Sequence, residues 1–527
     1  MIYPPAPSKV APVVAGVRRH SAMLFNSYTF IFLFLPIAWA GFYTVNRVLG
    51  RRAARCWLMA ASLTFYAWWN PIHLPLLLGS IVVNYRLARR VGDERVDTRS
   101  RRRLMAWGVV ANVGALAWFK YLDFVLRSTL GTLGYEVEPS GIMIPLAISF
   151  FTFQQTAYLV DAYKEPGRTR SFMDYALFVT FFPQLVAGPI IHHDELMPQL
   201  ASDEPYRARM SNLSVGMTMF VLGLFKKVVI ADEIAQWPDA VFGAAARGEA
   251  PTTVEAWIGM IGFTMQVYFD FSGYSDMALG LARMFGLRLP MNFDSPLKAT
   301  GISEFWRRWH MTLSRFLKQY VYVPLGGSRA GRGRGYLNLV ITMLVSGIWH
   351  GAAWTFVAFG LVHGIYLVVQ QLWSRRFRLK PDAPQWRRTF RCAWARVLTF
   401  MAFAFSLILF RSSNFDGAWL VLKGVLGAGA SDDGGAGLGV NAETRAMVWI
   451  GVAWVIAWTM PNVQEFMRRY EPALDWTPSR TKWRFWTRQL PYPVWRPHPL
   501  WAIPLAAMLV WSVLNLDRVA IFVYWQF

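Results

Sequence analysis

Hydrophobic positions in this chain gather into long runs, without the alternating or one-in-four stripes of a soluble domain. A helix that crosses a bilayer needs about 20 such residues. Runs of that order occupy positions 104–126, 141–163, 213–236, 254–282, 336–373, 395–412, 445–461 and 499–524. Met23 opens a further span, MLFNSYTFIFLFLPIAWAGFY, with no small-residue cleavage site after it, so it is expected to stay as an anchor. Asn70-Pro71 interrupts the stretch 56–85 and predicts a tight helical hairpin. The run 336–373 is long enough for two helices meeting near Gly351. Residues 172–191 contain FFPQLVAGP, whose two prolines predict a broken or re-entrant helix sheltered inside protein. The pattern predicts an all-α multispanning membrane protein with about ten to twelve embedded helices. No repeat at a fixed period and no matching halves are visible. Residues 1–22, rich in proline, are expected to form a disordered extension, leaving 23–527 as one transmembrane domain.

Composition agrees with the pattern. Of 527 residues 55% are hydrophobic and only 16% charged, too apolar for disorder and more apolar than a soluble core requires. The formal charge of +23 changes the picture, because a basic protein can be a nucleic-acid binder. Here the arginines sit in short blocks between apolar runs, the arrangement of cytoplasmic loops facing anionic lipid, and no nucleic-acid partner is expected. Arg47, Arg51, Arg52 and Arg55 precede the predicted hairpin and the block Arg86–Arg103 follows it, so both fall on the same side. Basic residues at 375–388 and 480–488 are assigned to that side too. The segment GAGASDDGGAGLG, without a basic residue, suits the outside, and the final span should carry the carboxyl terminus outward. Cys56 and Cys392 show no metal-ligand spacing, so neither a disulfide framework nor a metal site is expected.

An ionisable group inside an apolar span costs about 3 kcal/mol or more and defaults to a functional or paired role. Asp270 and Asp276 lie in YFDFSGYSDMALGLARMFG, on different faces of an unbroken helix, with Ser272-Gly273 a possible break between them. Pairing with Arg307, Arg308 or Arg315 would make them structural. The segment ISEFWRRWHMTLSRFLKQYVYVPLGGSR reads as an amphipathic interfacial helix with Trp306, Trp309, Arg307, Arg308, Arg315 and Lys318 as anchors. It carries His310 on its indole-rich side, either as an interfacial histidine bonded to backbone or as a reactive one. His350 stands in NLVITMLVSGIWHGAAWTFVAFGLVHG, with no charged residue from Leu339 to Val362 and with Trp349, Gly347, Gly351 and Ala352 around it. A buried imidazole there is a natural general base, or alternatively a buried hydrogen-bond partner, and small neighbours admit a close chain or ligand. His363 is the weaker candidate.

Four segments, FFPQLVAGPII, YFDFSGYSDMALGLARMFG, NFDSPLKATGISEFWRRWHMTLSRFLKQYVYVPLGG and SGIWHGAAWTFVAFGLVHG, together resemble the membrane-bound O-acyltransferase (MBOAT) family. Within it they look like the bacterial branch that holds the alginate O-acetyltransferase membrane subunit and the teichoic-acid D-alanyl transfer protein. The resemblance implies helices around a central tunnel, a catalytic histidine at His350 and the second family histidine at His310. It also implies a terminal hexapeptide, FVYWQF, whose Tyr524 would take the acyl group in transit. It implies acetyl-CoA or an acyl carrier as donor, no tightly bound cofactor, a location in the inner membrane, a periplasmic partner protein and an exported polysaccharide as acceptor. Arg307, Arg308 and Lys318 would then attract donor phosphates. D-alanyl transfer, another acceptor such as peptidoglycan, teichoic acid or cellulose, a proton-coupled transporter using Asp270 and Asp276, and a non-catalytic scaffold remain as alternatives.

Overall fold

The computed structural model describes residues 23–168, 171–329, 331–377, 384–431, 435–474, 476 and 494–518. The expectations for residues 1–22 and for Tyr524 lie outside them. Among the described residues the structure is helical, without strands.

The chain enters through a π-helical turn, Thr29–Phe34, into α1 (Leu35–Trp69). Gly50, at φ +82°, turns α1 back on itself, and the indole Nε1 of Trp57 donates to Ala38 O at 3.1 Å across the fold. Only glycine takes that backbone conformation without strain. Asn70 caps the short helix Pro71–His73 through its side chain, and α2 (Leu74–Val91) runs back. The hairpin predicted at Asn70-Pro71 is therefore present. Next come α3 (Thr98–Leu130), long enough at about 50 Å to exceed a bilayer core, and α4 (Ile148–Lys164), antiparallel to it. Arg101, in the basic block, donates to Tyr163 O at 2.8 Å, which puts the carboxyl end of α4 on the arginine-rich side. The positive-inside rule assigns that side to the cytoplasm.

The proline-containing segment is re-entrant. It descends as α5 (Phe172–Thr180), turns through α6 (Phe182–Leu185) and returns as α7 (His193–Ala201). Arg55 ties both ends together, bonding Asp174 at 3.1 Å and Leu200 O at 2.7 Å. Residues Tyr175 to Ile191 are buried throughout, so the broken backbone never meets lipid.

At the centre, α8 (Met210–Phe225), a π-helical stretch Lys226–Ala231 and α9 (Asp232–Ala246) form one long helix against α10 (Thr253–Met284). Every residue of α10 from Gly262 to Ala282 is buried. The two helices touch backbone to backbone, since a Cβ on Gly223 would fall 2.5 Å from Gly273 O and one on Gly216 would fall 2.5 Å from Gly280 O. Small residues are the usual means of such approach in a membrane. Gly273 is thus a packing glycine, and the break expected at Ser272-Gly273 is absent.

The segment after α10 folds as α11 (Ile302–Arg308) and α12 (Met311–Leu317), then a π-helical stretch Lys318–Tyr322. The single amphipathic interfacial helix expected here is corrected on two counts. It is broken at His310, and Trp306 and Trp309 are buried against protein instead of anchoring at the lipid surface. Then α13 (Arg332–His350) and α14 (Trp354–Arg376) form the expected helix pair about Gly351. Gly347 and Gly360 allow their contact: a Cβ on Gly347 would lie 2.3 Å from Phe356 O. After α15 (Gln385–Arg411), α16 (Phe415–Val425), α17 (Val440–Thr459) and α18 (Val463–Phe466), the described chain closes with α19 (Pro499–Leu514). Tyr28 donates to Val513 O at 2.9 Å, so the end of α19 meets the start of the first span on the side away from the arginines. Among the described residues five helices are long and apolar enough to cross a membrane: Thr29–Trp69, Thr98–Leu133, Met210–Ala246, Trp354–Arg376 and Gln385–Arg411.

Candidate active site

Two histidines from separate segments meet inside this helical body. His350 ends α13 and His310 occupies the break between α11 and α12; both are buried. The Trp349 ring contacts both, its centroid 5.0 Å from that of His350 and 6.0 Å from that of His310. Phe359 and Phe410 face His350 edge-on at 6.1 and 5.2 Å, and Phe271 of α10 faces His310 at 4.8 Å.

His310 adopts a left-handed backbone at φ +41°, a conformation that histidine tolerates better than most residues. Asn292 holds it there. Met311 N donates to Asn292 O at 3.0 Å, and the Asn292 Oδ1 accepts from Thr312 Oγ1 at 2.7 Å. The same amide oxygen lies 3.3 Å from His310 Nδ1. An amide oxygen only accepts, so this contact assigns the ring proton to Nδ1 and leaves Nε2 as the basic nitrogen. Thr312 Oγ1 also accepts from Ile190 N at 2.9 Å, which ties His310 to the re-entrant segment.

His350 is held through its backbone. The last four carbonyls of a helix lack partners within it. At α13 the Lys120 amino group donates to Trp349 O at 2.7 Å and His350 O at 3.1 Å, and the Tyr121 hydroxyl donates to Ile348 O at 2.7 Å. Lys120 is the residue that reading by motif missed. A lone lysine inside the apolar run 104–126 was the available signal. The small neighbours of His350 admit α14: a Cβ on Gly351 would lie 2.1 Å from the Phe356 ring.

The remaining sequence candidates fall elsewhere. His363 accepts from Trp306 Nε1 at 3.2 Å through Nδ1 and meets Ser406 Oγ at 2.9 Å through Nε2, so both its nitrogens serve packing. Asp270 pairs with Lys227 at 2.8 Å, and Lys227 also bonds Asp232 at 2.5 Å. Asp276 bonds Lys226 and Gln464, each at 2.7 Å. The arginine partners expected for these aspartates are corrected: Arg308 pairs with Glu304 and Arg315 with Glu195. The lysines win because the close contact of α8 with α10 puts them one helix away. Arg307 is exposed. A cavity lined by Val228, Asp232, Glu233, Arg445, Trp449 and Trp511 contains neither candidate histidine.

Comparison with known proteins gives the class to which this chain belongs. Residues 103–413 match the membrane-bound O-acyltransferase family, MBOAT, and the chain belongs to it. Both histidines fall within the match. The chain is 41% identical over 440 residues to the "Peptidoglycan O-acetyltransferase" of Helicobacter pylori, covering 79% of this chain and 82% of that protein. It is 39% identical over 403 residues to the "Probable alginate O-acetylase AlgI" of Azotobacter vinelandii, covering 75% and 77%. With the "Teichoic acid D-alanyltransferase" of Streptococcus thermophilus it shares 27% over 276 residues, covering 49% and 65%. The protein is a membrane acyltransferase.

Proposed function

We propose that this acyltransferase takes an acetyl group from acetyl-CoA at the cytoplasmic face of the inner membrane and passes it outward for O-acetylation of an exported polysaccharide. His350 acts as general base: it withdraws the proton of an attacking hydroxyl as the new O–C bond forms at the thioester carbonyl. The C–S bond then breaks and the proton returns to the departing thiolate. His310, which contacts the same indole, positions the donor or shares the proton transfer. Asp270 and Asp276 have structural roles, which disfavours a proton relay through them. Arg307, exposed, remains a group for donor phosphates, whereas Arg308 is engaged by Glu304.

One observation carries the reading: two buried histidines, contributed by different segments, contact a single indole at 5.0 and 6.0 Å. A row of rings supports the cytoplasmic approach. Tyr320 contacts Phe316 at 4.8 Å, Phe316 stacks on Phe153 at 4.2 Å, and Phe153 stacks on Trp349 at 5.5 Å. These contacts run from the arginine-rich side toward the histidines, the direction the proposed tunnel would follow.

The names of the relatives say which acceptors to test first. Identities of 41% and 39% to proteins named for peptidoglycan and alginate make those two glycans the acceptors to test. Tyr524 would carry the acetyl group to a periplasmic partner that completes transfer. The test is inside-out membrane vesicles that enclose the partner and each glycan, with radiolabelled acetyl-CoA supplied outside. Label should reach glycan with the wild type and fail to with His350→Ala. Near-normal transfer by that variant, or transfer only from a D-alanyl carrier, would defeat the proposal.

A further inference from the structure

A second histidine cluster lies outside the proposed reaction centre. Asp161 ends α4, His192 and His193 open α7, and Tyr320 follows α12. Asp161 Oδ2 lies 2.8 Å from His192 Nε2 and 3.8 Å from His193 Nδ1. Tyr320 OH is 2.5 Å from the same carboxylate oxygen and 2.7 Å from His192 Nε2. One ligand atom from each of Asp161, His192 and His193 can be chosen so that all lie within 4.8 Å of one another.

We propose that these residues form a binding site for one divalent transition-metal ion, of the zinc type, at the cytoplasmic edge. A tetrahedral ion with bonds of about 2.0–2.2 Å holds its ligand atoms roughly 3.3–3.6 Å apart. The contacts of Asp161 with the two imidazoles, at 2.8 and 3.8 Å, bracket that spacing. The outward nitrogens give a second, independent sign. His193 Nε2 lies 3.2 Å from Asp194 Oδ1 and His192 Nδ1 lies 3.8 Å from Asp194 Oδ2. His193 therefore turns Nδ1 toward the inner carboxylate and Nε2 toward the outer one. That is the carboxylate–histidine–metal arrangement that fixes the tautomer of a ligating histidine. Two imidazoles and a carboxylate favour zinc over calcium or magnesium, which prefer all-oxygen sites. A water completes the set.

The cluster can be reached from water. The side chains of His192 and His193 are 20% and 13% exposed, and Tyr163, near Asp161, bonds the basic block through Arg101. The turn carrying the histidines is already set: His192 N donates to Glu195 Oε2 at 2.8 Å, and Arg315 grips Glu195. An ion here would bind the end of α4, the start of α7 and the stretch after α12 into one unit. That stretch continues the short helix that begins beside His310. The competing explanation is a metal-free trio of Asp161, His192 and Tyr320, to which His193 contributes nothing.

His193 therefore decides the matter. Untagged full-length protein in detergent, stripped by a chelator and then dialysed against Zn2+, should retain about one zinc per chain by elemental analysis. Zinc should raise its thermal midpoint by several degrees, because an ion that binds only the folded state stabilises it by mass action. Co2+ in its place should give the visible absorption of a tetrahedral site. His193→Gln, which leaves the trio intact, should lose the ion and the shift; Asp161→Asn should do the same. Wild-type protein that retains no more zinc than His193→Gln, or whose midpoint zinc does not move, overturns the proposal. The readouts are independent of acetyl transfer, so neither result bears on the reaction proposed above.

Discussion

Two polar clusters in the apolar interior of this protein are built oppositely. Between α8 and α10 the buried groups are full charges, and they answer one another: Lys227 with Asp232 and Asp270, Lys226 with Asp276. Around α13 the buried groups are imidazoles set among aromatic rings, with hydrogen bonds directed at their backbone carbonyls and at one ring nitrogen. Paired charges in a low-dielectric interior lock helices together, whereas an imidazole can exchange a proton without carrying a permanent charge. The comparison teaches that the more conspicuous acidic residues are the scaffold and the less conspicuous histidines are the candidates for chemistry.

Mutation can break that contrast. The largest effect is expected at His350→Ala, a fall of about 10²–10⁴-fold in transfer rate, the usual worth of a general base. The thermal midpoint should be nearly unchanged, and a matching loss of stability would abolish the distinction between the two regions. Lys227→Met should do the reverse. It strands Asp232 and Asp270 and should cost about 3–5 kcal/mol of stability, read as a lowered melting temperature and poor recovery from membranes. The paired change Lys226→Met with Asp276→Asn removes both partners together and should cost less than Lys226→Met alone, measured in the same melt. Lys120→Met sharpens the contrast from the other side. It uncovers two carbonyls at the end of α13, a desolvation of about 1–3 kcal/mol, and should lower the transfer rate roughly tenfold with the KM for acetyl-CoA little altered. A Lys120→Met variant with full rate would show that the cap does not orient His350.

Much of this architecture was legible beforehand because membranes impose few solutions. Twenty-residue apolar runs, the Asn70-Pro71 break and the double proline of FFPQLVAGP each correspond to observed elements. The errors have physical causes. Gly273 looked like a helix breaker because glycine is one in water, but in a helix pair it is the residue that lets backbones touch. Trp306 and Trp309 looked like interfacial anchors because sequence does not say which face of an aromatic helix meets lipid and which meets protein.

The local pattern alone specified which segments are apolar enough to embed and where the histidines lie along the chain, because burial in lipid acts residue by residue. Whether any two of those groups meet depended on helix packing across long separations. Asn292 reaches His310, Lys120 reaches His350 and Asp161 reaches His192 only because close-packed glycines and the re-entrant segment draw distant turns together. Partner choice, for ion pairs and imidazoles alike, is a matter of a few ångströms in space, and spacing along the chain carries no record of it.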